Sequence, residues 1–364
     1  MFANSFNGKR ILVTGHTGFK GSWLCEWLLE LGAEVHGLSL PPTETQNLFR
    51  QLKHYQRISL HHELDVRNLN SLKRVVADTS PDFLFHLAAQ PLVRKSYADP
   101  VSTIDTNVIG TVNILEALRE FSKFCTAIIV TTDKCYENRE WLHSYRESDA
   151  LGGYDPYSAS KACAELVTHS YRQSFFSSDS KIRVASARAG NVIGGGDWAE
   201  DRIVPDIIKA IRTANPIEVR NRVATRPWQH VLEPLSGYLW LAAKLSSITK
   251  ADADNIYRFN FGPNLEANRS VSDLVEEFLK HTTGTWVDKT SPDQPHEAGR
   301  LNLSIDHAYH QLGWQPCWNF STAVKKTSQW YEAEFKNNDL LKVTQQHIAD
   351  YSKDATEQSL IWAS

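Results

Sequence analysis

The sequence predicts an α/β protein, a doubly wound parallel sheet followed by a smaller mixed α/β domain. Three observations support this prediction: short apolar runs alternate with longer amphipathic ones in the first half of the chain, the apolar runs are continuous, and glycines three residues apart follow the first run. Continuous apolar strands belong to sheets that are covered on both faces. Strands that alternate with helices pair in parallel through right-handed crossovers, which yields a doubly wound sheet.

The first half of the chain contains six apolar runs of strand length and four helical patterns. The expected strands are residues 10–14, 33–38, 58–65, 83–88, 126–131 and 182–187. The expected helices are residues 22–31, 72–77, 101–118 and 157–176, each with apolar residues at helical spacing. The helical patterns stand between strands, as crossover connections do.

The pattern changes after Gly190. Residues 194–197 are expected to form a flexible glycine-rich loop, and shorter mixed elements follow at residues 203–211, 233–245, 256–261 and 270–281. We therefore divide the chain into a first domain of residues 1–189, a second domain of residues 190–335 and a peripheral, more polar C-terminal tail of residues 336–364.

Composition excludes several classes of protein. With 364 residues, 41% of them hydrophobic and 22% charged, the chain has the make-up of a folded globular protein of about two domains. A formal net charge of −3 lacks the basic excess of nucleic-acid binders, so no nucleic-acid partner is expected. No apolar run approaches the roughly 18 residues that cross a bilayer, so no membrane partner is expected.

The five cysteines predict a cytoplasmic protein. They are odd in number and never spaced as C-x-x-C, which is typical of reduced thiols. The N-terminus runs into the first strand without the apolar region of a signal peptide. The chain has no H-E-x-x-H, no Cys/His cluster and no G-x-S-x-G, so we expect neither a metal site nor a serine nucleophile.

The glycine turn after the first strand predicts a phosphate-binding site, because it follows a strand and opens a helix. Glycines let the backbone turn tightly and approach a pyrophosphate, whose charge lies at the helix N-terminus. This arrangement indicates a dinucleotide-binding domain of the Rossmann type; the alternative is a turn that only packs a helix on a strand. The cofactor-binding residues expected here are Gly15, His16, Thr17, Gly18, Phe19 and Lys20.

The ends of the next two strands bear on which dinucleotide binds. A carboxylate about 20 residues after the turn usually holds the ribose diol of NAD. Here the second strand ends at Ser39, and no arginine for a 2′-phosphate lies beside it. We expect NAD, with one hydrogen bond from Ser39. Asp65 and Val66 follow the third strand, where adenine would lie, and a loop cap is an equally good reading of Asp65.

Tyr157 and Lys161 lie four residues apart on one face of a predicted helix. A nearby cation lowers the pKa of a phenol, so Tyr157 is a candidate base near neutrality. Thr132, Asp133 and Lys134 follow the fifth strand, and ligands bind beyond the carboxyl ends of such strands. We expect both groups to share one crevice with the glycine turn. The alternative for Asp133 and Lys134 is a surface ion pair.

Together these motifs resemble the extended short-chain dehydrogenase/reductases, over nearly the whole chain to about residue 330. The resemblance rests on T-G-x-x-G-x-x-G at residues 14–21, L-A-A-Q at 87–90, N-x-x-G-T at 107–111, T-D at 132–133, Y-x-x-x-K at 157–161 and R-x-x-N-V-x-G at 188–194. Within this family the chain is most similar to the CDP-glucose 4,6-dehydratases, through residues 14–23, 132–138 and 226–238.

The resemblance implies an NAD-dependent hydro-lyase that converts CDP-D-glucose to CDP-4-dehydro-6-deoxy-D-glucose and water without net redox change. Tyr157, with Lys161 and Thr132, would take the proton from O4 of the sugar, and Asp133 would protonate the departing O6. In related dehydratases the next residue is typically a glutamate that removes the C5 proton, but here it is Lys134. We hypothesise that Lys134 is that base; the alternative is an ammonium that stabilises the developing enolate.

The resemblance also implies binding residues and an assembly. Further cofactor contacts would come from Leu87, Ala88, Ala89, Thr106, Tyr157 and Lys161. The nucleotide sugar would be held by Gln90, Asn191, Ile203, Val204, Arg226, Trp228 and Arg300. The two arginines are candidates for the substrate pyrophosphate, because a guanidinium matches phosphate oxygens bidentately. Family members commonly form homodimers through the helices at residues 101–118 and 157–176, so a homodimer is expected.

Other readings of these binding residues and of the function stay open. Arg226 is also explained as a helix cap, Arg300 as a solvated charge and Trp228 as a packing residue. Within enzymes, the alternatives are another nucleotide-sugar 4,6-dehydratase and a 4-epimerase, which has no need of an acid for the departing O6. A dinucleotide-sensing regulatory protein is a further alternative, although it predicts a broken Tyr/Lys pair.

Overall fold

A computed structural model describes residues 1–42, 46–176, 180–248, 257–290 and 298–364 of the chain. Its strands are β1 (Arg10–Thr14), β2 (Glu34–Ser39), β3 (Leu60–Glu63), β4 (Phe83–His86), β5 (Cys125–Val130), β6 (Ile182–Ala189), β7 (Val192–Ile193), β8 (Ile217–Val219), β9 (Thr225–Pro227), β10 (Gln229–His230), β11 (Arg258–Phe261), β12 (Asn268–Ser270) and β13 (Trp286–Asp288).

The main sheet has seven parallel strands in the order β11-β6-β5-β4-β1-β2-β3. The doubly wound α/β fold predicted from the sequence is confirmed. The strand order reverses between β1 and its neighbours β2 and β4, which creates a crevice at the carboxyl ends of these strands. The remaining strands form three two-stranded pairs: β7 with β10, β8 with β13, and β9 with β12.

Helices connect the strands and cover the sheet. They are α1 (Phe19–Glu30), α2 (Leu48–Gln51), α3 (Leu69–Thr79), α4 (Val93–Ala98), α5 (Pro100–Ile104), α6 (Gly110–Arg119), α7 (Pro156–Ser174), α8 (Ile203–Arg212), α9 (Leu232–Ser247), α10 (Val271–Leu279), α11 (Asp306–Leu312), α12 (Phe320–Phe335) and α13 (Leu340–Glu357). The described helices include none long and apolar enough to cross a membrane.

Both faces of the sheet are buried, as continuous apolar strands require. In β1, Ile11 and Val13 belong to one buried apolar cluster, which includes residues of α1, α9 and α13. Leu12 belongs to the cluster on the opposite face, beneath α3, α6 and α7. Successive side chains of a strand point to opposite faces, so the three apolar residues of β1 contribute to the apolar clusters on both faces of the sheet.

Several expected elements differ in detail from the observed ones. The helix expected at residues 101–118 is α5 and α6 joined by a wider helical turn, Asp105–Ile109. The strand expected at residues 256–261 is β11, which begins at Arg258; residue 256 lies outside the described residues. Because β11 pairs with β6, the main sheet includes a strand from beyond residue 190. The domain division at residues 189 and 190 stays a prediction.

The C-terminal segment is part of the core, and the expectation that it is peripheral is wrong. The ring of Trp362 is fully buried and stacks on Phe2 at 5.9 Å and on Tyr351 at 5.4 Å. The hydroxyl of Tyr351 donates a hydrogen bond of 2.7 Å to the buried carboxylate of Glu233 on α9. The polar residues of α13 lie on its outer face, which explains why composition alone suggested a peripheral tail.

Candidate active site

A cleft of about 790 Å³ lies at the carboxyl ends of the sheet strands. Its walls come from the segments that follow β1 to β6, from the first turns of α7 and from the start of α8. Of the residues predicted to bind the cofactor, those that line the cleft are Gly15, Thr17, Gly18, Phe19, Lys20, Ser39, Asp65, Val66, Leu87, Ala88, Ala89, Thr106, Tyr157 and Lys161. Of the predicted catalytic and substrate residues, those that line it are Thr132, Asp133, Lys134, Asn191, Ile203, Val204, Arg226 and Trp228.

The glycine turn leaves no room for side chains at two of its positions. Gly15 has φ +75°, and a Cβ there would lie 2.6 Å from the backbone nitrogen of Ala88. A Cβ on Gly21 would lie 2.2 Å from the carbonyl oxygen of Gly15. The turn therefore packs directly on α1 and on the segment after β4. Its backbone and the N-terminus of α1 face the cleft, as anion binding requires.

His16 lies beneath the turn and is not among the residues that line the cleft. Its ring fills the space above Gly37 of β2, where a Cβ would lie 2.3 Å away. Its Nε2 shares a hydrogen bond of 2.7 Å with Nδ1 of His61. Burial, helped by the charge of His61, lowers the pKa of His16 to about 3, so the ring is neutral. The structure thus gives His16 a supporting position under the turn.

The two predicted ligands of the adenosine half have partners within the chain. Oγ of Ser39 and Oγ1 of Thr17 form a hydrogen bond of 2.8 Å at the wall of the cleft. Both carboxylate oxygens of Asp65 accept from the guanidinium of Arg67, with Nε to Oδ2 at 2.9 Å, and Oδ1 also accepts from the backbone N–H of Arg67 at 2.9 Å. These bonds hold the pKa of Asp65 below its usual value. Asp65 therefore caps its loop, and it also lines the cleft.

The first turn of α7 places Tyr157 and Lys161. The side chain of Asp155 accepts a hydrogen bond of 2.9 Å from the N–H of Ser158, which caps the helix, and a proline occupies its first position. Lys161 follows one turn later, and its Nζ donates to the carbonyl oxygen of Val130 at 3.3 Å. Burial lowers the pKa of Lys161 to about 8.

The phenol of Tyr157 is buried at the base of the cleft, and burial raises its pKa to about 12. A hydrogen bond with the hydroxyl of Thr132 and the positive charge of Arg202 oppose this rise. Lys161 was expected to be the cation that lowers the pKa of Tyr157, but it is not among the groups that shift this pKa. The cation that acts on the phenol is Arg202.

Asp133 is fully buried, so the alternative of a surface ion pair is excluded for it. Its Oδ1 accepts a hydrogen bond of 3.0 Å from Oγ1 of Thr132. Its Oδ2 has no hydrogen-bond partner among the residues that the structure describes. Burial raises the pKa of the Asp133 carboxyl, against the opposing charge of Lys134. A buried carboxyl group with a raised pKa and an unpaired oxygen in a cleft is typical of a proton donor.

The predicted substrate residues divide into two groups. Asn191, Ile203, Val204, Arg226 and Trp228 line the cleft. The guanidinium of Arg226 donates to the carbonyl oxygen of its neighbour Thr225 at 2.9 Å within strand β9, so Arg226 is not a helix cap. The indole of Trp228 is buried and donates to the carbonyl oxygen of Arg269 at 3.0 Å.

Gln90 and Arg300 are not among the residues that line the cleft. The side chain of Gln90 is buried and used internally: it donates to Thr103 Oγ1 at 2.9 Å and accepts from the N–H of Leu92 at 2.7 Å. Arg300 is exposed, and its backbone N–H donates to the carboxylate of Glu140 at 2.7 Å. The structure brings neither of these two side chains to the cleft.

Sequence reasoning missed an ion pair in the cleft. Nη1 of Arg202 donates to Oδ2 of Asp197 at 2.9 Å, and both residues line the cleft. The glycines before Asp197 are packed: a Cβ on Gly195 would lie 2.0 Å from the ring of Trp330. The expectation of a flexible loop is therefore wrong, because these glycines serve close packing. The available signal was the charge of Arg202, which directly precedes Ile203, with Asp197 five residues earlier in the sequence.

Comparison with known proteins places this cleft in a family. The family described as GDP-mannose 4,6 dehydratase matches residues 12–327, which include every element around the cleft. The chain belongs to this family. The resemblance stated from the sequence is thus confirmed, and so is the fold class.

Members of the dehydratase family are similar to nearly the whole chain. The CDP-glucose 4,6-dehydratase of Salmonella typhimurium is 41% identical over 362 residues, which cover 97% of this chain and 99% of the relative. The human dTDP-D-glucose 4,6-dehydratase is 26% identical, covering 90% of this chain and 91% of the relative. The crystal structure of dTDP-glucose 4,6-dehydratase from Bacillus anthracis in complex with NAD is similar in fold, with a TM-score of 0.73, 20% identity, and coverage of 92% of this chain and 99% of that chain.

The residues of the cleft fit the dinucleotide of these dehydratases. Gly15 and Gly21 line the cleft and have no side chain, because the backbone of the chain lies within 3 Å of the position that a Cβ would take. Bare backbone of this kind lets a pyrophosphate approach the turn. Lys20 lies beside the turn and supplies positive charge for a pyrophosphate, although burial lowers its pKa to about 8. Among the described residues, no group of three or more His, Cys, Asp or Glu side chains is placed to hold a metal ion.

Proposed function

We propose that this member of the family converts CDP-D-glucose to CDP-4-dehydro-6-deoxy-D-glucose and water, with NAD regenerated in each turnover. The observation that carries the proposal is the buried Asp133 carboxyl group, whose Oδ2 is unpaired among the described residues, in the same cleft as Tyr157. The relative named CDP-glucose 4,6-dehydratase, at 41% identity, supports CDP-glucose as the substrate.

The cofactor would lie across the ends of β1, β2 and β4. NAD held there would supply the redox chemistry, as hydride acceptor for C4 of the sugar and hydride donor for C6. The turn between Gly15 and Gly21 would bind the pyrophosphate, Ser39 the adenosine ribose, and Asp65 the adenine. These residues hold and orient the cofactor.

Tyr157 would remove the proton from O4 of the sugar. The phenol is protonated at neutral pH, because burial raises its pKa to about 12. The Thr132 hydroxyl and the Arg202 guanidinium favour the phenolate, so both stabilise it as the proton moves. Lys161, which lies on the same helix face, would hold the cofactor ribose and add positive charge.

Asp133 would protonate O6 as it leaves. A ketone at C4 makes the C5 proton acidic, and loss of this proton expels O6 when an acid is in place. Burial raises the pKa of Asp133 and so favours the protonated form that can donate. The hydroxyl of Thr132 donates to Oδ1, and Oδ2 has no hydrogen-bond partner among the described residues. Lys134, next to Asp133 at the cleft wall, would accept the C5 proton or stabilise the enolate.

A nucleotide-sugar 4-epimerase is the second candidate, because similar folds include a UDP-glucose 4-epimerase from Thermotoga maritima with a TM-score of 0.75, at 20% identity. Such a likeness shows the fold alone. An epimerase needs no acid for O6, so the buried Asp133 favours elimination. A purely regulatory protein would not need a buried phenol and a buried carboxyl group, those of Tyr157 and Asp133, in the same cleft.

We also propose a homodimer that forms through the helices at residues 101–118, which are α5 and α6, and through α7. Val101 and Ile104 on α5 and Leu166 on α7 are exposed apolar side chains on neighbouring helices. Exposed apolar patches of this kind mark interaction surfaces. The free state of all five cysteines fits a cytoplasmic location.

The experiment that tests the function is a substrate comparison. Purified protein with NAD is incubated separately with CDP-glucose, dTDP-glucose, UDP-glucose and GDP-mannose, and the 4-ketosugar product is measured. CDP-glucose is expected to turn over fastest, and Tyr157→Phe serves as the inactive control. Faster turnover of another nucleotide sugar would reject the cytidine assignment, and inversion at C4 without loss of water would reject the dehydratase.

A further inference from the structure

Glu165 lies one helical turn beyond Lys161 on α7 and is fully buried. Its carboxylate accepts three hydrogen bonds from two neighbouring strand segments. Oγ1 of Thr131 donates to Oε1 at 2.5 Å, while Oγ of Ser186 and Nη2 of Arg188 donate to Oε2 at 2.7 and 2.8 Å. Both oxygens of the carboxylate thus accept hydrogen bonds from residues in or directly after the strands β5 and β6, and Glu165 is not among the residues that line the cleft.

These bonds connect α7, which carries Tyr157 and Lys161, to the end of β5, which precedes Thr132. Thr131 lies directly between Val130, which accepts the bond from Nζ of Lys161 at 3.3 Å, and Thr132. Helix α7 is therefore tied to the end of β5 at two adjacent residues, through Lys161 and through Glu165. The side chains that must cooperate at the cleft lie on these two elements.

The ion pair between Glu165 and Arg188 is unusual in its burial. Both side chains are almost inaccessible, and Nη1 of Arg188 donates to the hydroxyl of Tyr136 at 2.7 Å. A buried ion pair is weak evidence for stability, because desolvation of the two charges offsets their attraction. Its position one turn from Lys161 indicates a role in the site.

We propose that Glu165 is a positioning residue for the reaction, which acts through Lys161 and Thr131. It supplies the negative charge that Lys161 faces inside the protein, and it holds α7 in register with the end of β5. This inference rests on the proposed dehydratase function for its effect on turnover, whereas its effect on the charge of Lys161 is measurable without substrate.

The charged and titratable groups around Lys161 come from four elements. They are Tyr157 and Glu165 on its own helix, His86 at the end of β4, Lys20 on α1 and Cys135 after β5. Burial lowers the pKa of His86 to about 3, raises that of Tyr157 to about 12 and raises that of the Cys135 thiol, so all three are uncharged at neutral pH. Lys20 repels the Lys161 ammonium. Glu165 is the group among these five whose negative charge favours the ammonium.

The charge of Lys161 is tested by NMR titration of protein with lysine labelled at the side-chain ε carbon, with the signal assigned from Lys161→Met. Glu165→Gln keeps the side-chain shape and removes the charge, and it is expected to lower the pKa of Lys161 from about 8 to about 7 or below. Arg188→Met removes the ion-pair partner of the Glu165 carboxylate and is expected to raise the pKa of Lys161. If the substitutions only loosened the core, Lys161 would become less buried and its pKa would rise in both variants. An unchanged or raised pKa of Lys161 in Glu165→Gln therefore overturns the proposal.

The fastening role is tested with Thr131→Val, which removes one hydrogen bond and keeps both charges of the ion pair. We expect kcat to fall about tenfold with KM within about twofold of wild type, because the catalytic groups lose alignment and the binding residues do not. A wild-type kcat in Thr131→Val overturns this role. The variant also carries the test if Glu165→Gln does not fold.

A matched control is Glu233→Gln, which alters another buried carboxylate away from the cleft. Glu233 accepts the backbone N–H groups of Cys317 and Trp318 at 2.9 and 2.6 Å. This change is expected to leave kcat and the pKa of Lys161 unchanged. If the wild-type protein has no dehydratase activity but the pKa of Lys161 falls in Glu165→Gln and rises in Arg188→Met, the proposed function is rejected and the charge inference is kept. If the wild-type protein is active but the variants show no such shifts, the inference alone is rejected.

Discussion

The unpaired oxygen of Asp133 faces the backbone of Gly190. A Cβ at position 190 would lie 2.9 Å from Oδ2 of Asp133 and 2.7 Å from Cγ of Pro227. Gly190 directly follows β6 and Asp133 closely follows β5, which are neighbours in the sheet. The absence of a side chain at position 190 therefore preserves the space beside the candidate acid.

Gly190→Ala is expected to push the Asp133 carboxyl group out of place, because the methyl group meets a carboxylate on one side and a proline ring on the other. We expect kcat to fall at least about tenfold while NAD binding is retained. Steady-state kinetics and NAD titration measure this. The control is Gly262→Ala, where the nearest atom to the new Cβ would be 3.4 Å away, an ordinary contact. Equal kcat in the two variants would contradict the role of Asp133.

Lys134 is expected to be needed for removal of the C5 proton, either as the base or as the cation that stabilises the enolate. Lys134→Met should leave oxidation at C4 measurable, as reduced cofactor in a single turnover, but abolish exchange of the C5 proton with solvent and loss of water. The reason is that methionine has the length of lysine without a group that accepts a proton or carries charge.

Lys134→Glu separates the two roles left open for this residue. A carboxylate can accept the C5 proton, so some elimination should remain if Lys134 is a base. Elimination should be lost if Lys134 acts as a cation, because a negative charge destabilises an enolate. Wild-type turnover in Lys134→Met would show that Lys134 has neither role.

The hydrogen at C4 of the sugar is expected to reach C6 of the same molecule. Substrate deuterated at C4 should give product deuterated at C6, and turnover in deuterated water should place solvent deuterium at C5. Mass spectrometry and proton NMR of the product measure both positions. The dehydratase assignment fails if the C4 label accumulates in free reduced cofactor or if C5 carries no solvent label.

Arg202→Met is expected to shift the pH dependence of turnover to higher pH. Tyr157 must lose its proton to act as a base, burial raises its pKa to about 12, and Arg202 opposes that rise. Loss of the guanidinium therefore raises the pKa further, and the acidic limb of the kcat profile moves up by about one pH unit, a tenfold slower rate on that limb. Arg202→Lys keeps the charge and should retain most of the wild-type profile. Superimposable profiles for Arg202→Met and wild type would refute this prediction.

Ser39→Asp is expected to tighten NAD binding about tenfold. Ser39 forms a neutral hydrogen bond with Thr17 at 2.8 Å, and a carboxylate there would accept from both Thr17 and a ribose hydroxyl, in a stronger charge-assisted bond. Calorimetry measures the dissociation constant, with Ser39→Ala as the matched loss of the hydroxyl. Binding of NADP should weaken, because its 2′-phosphate would meet the new charge. Weaker NAD binding in Ser39→Asp would mean that this side chain does not face the ribose.

Local spacing predicted those parts of the site that one segment of chain contains. The glycine turn follows β1 and opens α1 because turn, strand and helix are adjacent in sequence, and Tyr157 and Lys161 share a face because they are one helical turn apart. Strands β1, β4 and β5 were visible as apolar runs, whereas β2, β3 and β6 include polar residues as well. The break of the helix at residues 105–109 was not, because a wider helical turn leaves the apolar pattern nearly unchanged.

Contacts between segments that are distant along the chain could not be predicted from the sequence. His16 appeared to be one more residue of the turn, but the missing side chain of Gly37 gives its ring a place underneath. Gln90 belongs to a motif next to the site, yet its amide is used by Thr103 and Leu92. Composition made the C-terminal tail look peripheral, although Trp362 completes the core.

The sequence by itself determined the doubly wound sheet, the phosphate-binding turn and the Tyr157/Lys161 pair, because periodicity and spacing act over a few residues. Only the tertiary structure decided which charges face one another in the cleft. Arg202 acts on Tyr157, 45 positions earlier in the chain, and Glu165 holds Thr131 from another element. Electrostatic interactions depend on distance in space and on burial, and neither quantity is set by separation along the chain.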